Sequence, residues 1–270
     1  IAKIYIIARE TNSANGVLLC NPIPKKFSIE QKLLEPLISR GIIELKKANI
    51  MGKKLTPSLL SYLFQETKGE TLHSNIELVK NNAILGAKVA KALNVEVKRL
   101  VKAGCKYIQV DEPLFARKPE EALNYGIENL EICFEGIENS SIEKITHICC
   151  GYPDKLDSVN YPKAPLDSYK KISKQIDNSI IDTVSLEDAH RYNDNELFDS
   201  FKKTKLIIGL IKIASTQEET EEEIIKRIKS ISNHIDIDRI IAAPDCGLGH
   251  LPKQLAKKKL KTMVRAVKNI

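Results

Sequence analysis

His147 and Cys149 stand two residues apart in the run KITHICC (144–150). On a β-strand that spacing sends both side chains to one face and Cys150 to the other. Glu187 directly follows the run IDTVSL (181–186), and Cys246 lies two residues beyond RIIAAP (239–244). All four groups then lie at strand ends. An imidazole, two thiols and a carboxylate suit zinc, a borderline-soft ion that takes N, S and O ligands in a tetrahedral shell and deprotonates the thiols it binds. Taken singly, His147 reads as a hydrogen-bonded core histidine and each cysteine as a small buried hydrophobe. Their recurrence at strand ends is what points to a metal.

The elements that must position these groups follow one pattern. From about residue 105 onward, short apolar β-branched runs (105–110, 144–150, 181–186, 205–213 and 239–244) alternate with amphipathic segments near 119–138, 163–178, 194–203, 218–234 and 252–268. Buried strands alternating with helices predict a parallel sheet built from successive βα units. The reading is α/β: a partial TIM-type (β/α) barrel of five βα units, with its active site expected at the carboxyl ends of the strands. His190 and His250 also fall in strand-end loops. Each reads equally as a group that approaches substrate or acts as an acid and as a surface histidine.

Residues 1–94 read as a mostly helical module. They comprise a short apolar run at 16–20, helices at about 28–49, 57–66 and 74–93, and start signals at Thr56-Pro57 and Ser74. A boundary is expected near Asn94, giving domains 1–94 and 95–270. Cys105 and Cys133 are expected as core hydrophobes. The run Lys253–Lys268 has seven cationic residues and no acidic one. With Leu255, Leu260, Met263, Val264 and Val267 on one face, it reads as a final barrel helix with a solvated basic side.

The chain has 270 residues and a formal net charge of +7, spread along its length. No apolar stretch reaches the ~18 residues of a membrane span, and the start lacks the pattern of a signal peptide. A cytoplasmic protein with six reduced cysteines is expected. Aromatic residues are 5% of the chain and none interleave with the basic run, so no nucleic-acid site is expected.

Two resemblances extend this reading. YIQVDEP (107–113), HICCGYP (147–153), VSLEDAH (184–190) and APDCG (243–247) resemble, in order, the catalytic barrel of cobalamin-independent methionine synthase. NGVLLCNPIP (15–24), GKKLTPSLL (52–60) and NIELVKNNAILGAKVA (75–90) are similar to the C-terminal part of pseudouridine-5′-phosphate glycosidase. The first resemblance implies zinc as cofactor, His147, Cys149, Glu187 and Cys246 as its ligands, and a methyl transfer to a thiol such as homocysteine. Asp111 would bind the substrate's amino group, with Glu112 beside it, and His190 is the second candidate catalytic residue after Asp111. The donor would be methyltetrahydrofolate or a corrinoid. The position aligned with the family's leaving-group histidine is Ala214. The second resemblance places Lys80, Asn81 and Asn82 near a nucleobase pocket, although no match to that family's catalytic lysine appears. Alternatives are therefore a glycosidase-related protein, or an inactive truncated fusion that binds zinc. Five strands leave sheet edges open, to be covered by the 1–94 module, by another chain as in a homo-oligomer, or not at all.

Overall fold

A computed structural model describes residues 21–137, 141–158 and 161–270, except for the Lys53 side chain. The expected apolar run at 16–20 lies outside the described residues. The chain divides into two compact units, Ile1–Lys88 and Val89–Ile270.

The first unit is helical where described. It contains α1 (Gln31–Lys47), α2 (Leu55–Glu66) and the start of α3 (Glu70–Lys102). The helix expected at 74–93 is thus longer at both ends. Ser74 does not cap it but sits inside, its hydroxyl donating to the Phe27 carbonyl at 2.5 Å. Nor does the helix break near Asn94. That side chain is buried and donates to the carbonyls of Cys133 and Glu135 at 3.1 and 2.9 Å, satisfying acceptors at the end of another helix.

The second unit is built on one sheet of five parallel strands, in sequence order among the described residues: β1 (Tyr107–Asp111), β2 (Glu143–Ile148), β3 (Thr183–Leu186), β4 (Lys205–Ile211) and β5 (Ile240–Pro244). Between them lie α4 (Ile127–Cys133), preceded by Pro119–Glu121 and a π-helical turn at Ala122–Gly126, then α5 (Ser168–Asn178) and α6 (Glu221–Ile231); α7 (Lys253–Lys268) closes the chain. The segment expected as a helix at 194–203 is a 3-10 turn, Asn195–Ser200.

Alternation divides the sheet into two faces. Ile108, Ile148, Val184, Leu186, Leu206 and Ile208 are buried with Leu130, Ile172, Ile176, Phe198 and Ile228 of the covering segments. On the other face the register aligns Asp111, His147, Ser185, Ile207 and Ile241 in one row. The β4–β5 register shifts between Gly209 and Ile211, opposite Ala243 and Pro244, and the loop after Pro244 bears Cys246.

Two expectations of burial are corrected. Cys133 is buried but Cys105 is exposed, because it follows the end of α3 before the sheet begins. In α7 the buried face is Lys259, Thr262, Met263 and Ala266, while Val264 and Val267 are exposed. Lys259 is wholly buried, donating from Nζ to the Lys212 carbonyl at 3.1 Å and to Glu219 Oε1 at 3.2 Å.

Candidate metal centre

The carboxyl ends of β2 and β3 bring ligand atoms of His147, Cys149 and Glu187 within 4.8 Å of one another. His147 and Glu187 are buried, and Cys149 and Cys246 half-buried. The Cys246 thiol interacts with both Cys149 and His147, so β5 delivers it to the same place. Asp111 reaches the row from β1 and remains exposed, its Oδ1 accepting from Gln109 Nε2 at 2.7 Å.

The electrostatics set one thiol against the other. Cys149 donates to Cys246, which, with His147 beside it, holds Cys246 well below the ordinary thiol range and pushes Cys149 up. Burial and the charge of Asp245 push Glu187 up to about 7, against hydrogen bonds from Cys149 and the Cys150 backbone. Burial of His147 opposes its charged form, but Cys246, Glu187 and Asp111 outweigh that and raise it. Among the described residues, the buried side-chain atoms that lack a hydrogen-bond partner include two in this cluster, His147 Nε2 and Glu187 Oε1. Such atoms are costly unless something meets them. An imidazole nitrogen, a carboxylate oxygen and two thiols, one favoured as thiolate, therefore fit a zinc ion.

Residues without obvious chemistry hold this arrangement. Ser185 Oγ lies 3.0 Å from His147 Nδ1; with the Nδ1–H donated there, the lone pair stays on Nε2. The Tyr169 hydroxyl donates to the Ile148 carbonyl at 2.7 Å and accepts the Glu187 N–H at 3.3 Å, tying the ends of β2 and β3. Asp188 receives Arg227 Nε at 2.6 Å and Nη2 at 2.7 Å. Asn193 adds its backbone N–H at 2.8 Å and Nδ2 at 2.9 Å. Asp245 is 1% exposed, and burial pushes its carboxyl up to about 6 despite N–H donors from Ala189, His190 and Asp188. The sequence offered no signal for Tyr169 or Arg227, whose roles depend on packing. Ser185, Asp188 and Asp245 stood inside the VSLEDAH and APDCG motifs, but the pairing of Ser185 with His147 depends on register.

The remaining predicted groups are placed as follows. Glu112 follows Asp111 on the other face of the strand, where its charge reaches Cys133 of α4; burial and Asp111 push it up to about 7. Its backbone N–H donates to the His147 carbonyl at 2.8 Å. His190 Nε2 accepts the Ile213 N–H at 3.0 Å, which leaves the ring proton on Nδ1. Burial, with Lys163, Lys212 and Lys259 nearby, holds this ring down to about 4, so it is neutral at pH 7. His250 Nε2 donates to the Pro153 carbonyl at 3.0 Å, and its ring packs on Tyr152, linking the β5 and β2 loops. Ala214 is buried. In α3, Lys80 pairs with Glu77, Asn81 donates to the Pro22 carbonyl and Asn82 accepts from Asn21.

Comparison with known proteins gives these features a family. Residues 1–92 match the model of indigoidine synthase A like proteins. A pseudouridine-5′-phosphate glycosidase of Petrotoga mobilis is 45% identical over 95 residues, covering 35% of this chain and 31% of that protein. A methionine synthase of Sulfurisphaera tokodaii is 28% identical over 193 residues, 71% of this chain and 51% of that protein. The structure of a B12-independent methionine synthase from a Shewanella species, in complex with selenomethionine, superposes with a TM-score of 0.61 at 29% identity, covering 69% of this chain and 54% of that one. The chain thus spans about half the length of the methionine synthases it matches and under a third of the glycosidase. Residues 73–269, most of the chain, match the catalytic domain of the cobalamin-independent synthases, and to that family this chain belongs.

Proposed function

We propose that the carboxyl end of the sheet binds zinc through His147, Cys149, Glu187 and Cys246 and supports methyl transfer to a thiol such as homocysteine. The observation that carries the reading is the pair of buried, partnerless atoms, His147 Nε2 and Glu187 Oε1, beside the Cys149–Cys246 thiol pair. When bound there, zinc would lower the pKa of a substrate thiol so that it is a thiolate near pH 7. In the transfer a sulfur–carbon bond forms and the donor's bond to its methyl group breaks, the electron pair leaving with the donor.

This chain's own side chains bind and orient. Asp111, exposed at the edge of the row, meets the substrate ammonium as a charge-assisted partner. His190 serves as a neutral donor through Nδ1–H, because its Nε2 is engaged by Ile213. Membership of the family supports a methylated folate as donor, and the buried Ala214 at the position of that family's leaving-group histidine is the reason a corrinoid stands beside it. Similarity of the first unit to pseudouridine-5′-phosphate glycosidases carries a second, lower-ranked reading, in which the chain takes part in that chemistry.

Metal analysis of the purified chain tests the first reading. About one zinc per chain is expected. Cys246→Ser should lose most of it, whereas Cys133→Ser, buried in α4 away from the cluster, should retain it. A zinc-free protein after metal-replete expression sinks the proposal.

A further inference from the structure

Glu187 and Cys246 lie just beyond the carboxyl ends of β3 and β5, yet these strands are not neighbours; β4 runs between them. Strand pairing alone leaves their spacing to loops. Asp245 spans the gap. Its Oδ1 accepts the N–H groups of Asp188 and Ala189 at 2.7 and 2.8 Å, and its Oδ2 accepts that of His190 at 2.8 Å. The donors immediately follow Glu187 and the acceptor immediately precedes Cys246.

The bridge crosses β4 at Gly209. A Cβ there would lie 1.9 Å from Asp245 Oδ1 and 2.8 Å from its Cα, so a side chain at 209 and Asp245 in this position exclude each other. From the other side, Arg227 grips Asp188 and donates to the Asn193 carbonyl at 2.9 Å, fixing the same loop. Three N–H donors converging on one side chain require acceptors on both terminal atoms, which a carboxylate has and an amide of the same shape lacks.

We infer that Asp245, given room by Gly209, is a positioning residue that fixes the spacing of Glu187 and Cys246 and so sets the metal affinity of the site. The inference rests on the reading of those two residues as zinc ligands.

The sheet contains its own control. Asp177 of α5 is also buried and also accepts three successive backbone N–H groups, from Lys202, Lys203 and Thr204, but it does so at the amino end of β4. Asp245→Asn and Asp177→Asn therefore remove the same kind of bond at opposite ends. Zinc affinity of the full chain, measured by competition with a chromophoric chelator, should fall about 10- to 100-fold in Asp245→Asn and stay near wild type in Asp177→Asn. The visible spectrum of the cobalt-substituted protein should change in the first and not the second. Gly209→Ala, which displaces Asp245 without altering its chemistry, should copy Asp245→Asn and serves alone if that variant does not fold. Unchanged affinity in Asp245→Asn or Gly209→Ala overturns the inference, as does an equal loss in Asp177→Asn. A wild-type chain that takes up no zinc overturns the ligand reading, and the inference with it.

Discussion

At the scale of single residues, the cluster is a problem of aiming as much as of composition. His147 presents a lone pair at Nε2 when its ring proton is on Nδ1, and Ser185 Oγ, 3.0 Å from Nδ1, is placed to accept that N–H. Ser185→Ala should leave the fold intact and weaken zinc binding about 10-fold, with Ser185→Thr restoring most of it. Equal affinity in all three proteins, by the same chelator competition, would show that packing alone orients the ring. The two kinds of residue differ in how they could be found. His147 and Cys149 share a face because they are two apart, which is local arithmetic. Ser185 stands 38 residues from His147 and joins it only through the β2–β3 register. Register is fixed by which faces are buried and how turns close, not by any residue's type. The same holds for Tyr169 and Arg227.

At the scale of elements, the five strands were legible because each is a dense β-branched run bounded by polar loops, a pattern that survives without knowledge of neighbours. Helix faces were less so. Lys259 belongs by type to the solvated side of α7, but the Lys212 carbonyl and Glu219 lie beneath it and take up its charge. The end of α3 was hidden differently. Residues 73–92 match both family models, and the apolar spacing runs on to Lys102 without a stop signal.

Asp177 shows how one element is fastened to the next. Burial opposes its charge, but the N–H donors of Thr204, Lys202 and Lys203 outweigh burial and hold its carboxyl below the ordinary range. A carboxylate with a depressed folded pKa stabilises the protein above its unfolded pKa of about 3.9 and loses that contribution as pH falls through the folded value. Asp177→Asn should therefore cost about 1–3 kcal/mol near neutral pH, and the gap from wild type should close as denaturation is repeated toward pH ~3. A gap independent of pH would mean that its charge plays no part.

At the scale of the whole molecule, the outer strands of the sheet matter most. Eight strands close a (β/α) barrel, and their inward side chains then form a packed core rather than a surface. Here β1 pairs with β2 and β5 with β4, and among the described residues neither outer strand has a second partner. Tyr107 at one margin is 73% exposed, and Ile241 at the other, in the row of His147, is 42% exposed. A strand edge with free N–H and C=O groups beside exposed apolar side chains is a template for pairing with another chain, and a charge placed on the edge is the usual means of preventing it. Sedimentation velocity should therefore show the average mass of the wild-type chain rising with concentration. Ile241→Lys puts an ammonium on the outermost strand while leaving the ligand loop after Pro244 in place, so it should lower that association without changing zinc content. Identical sedimentation of the two proteins across the concentration series would show that this edge is not what brings copies together.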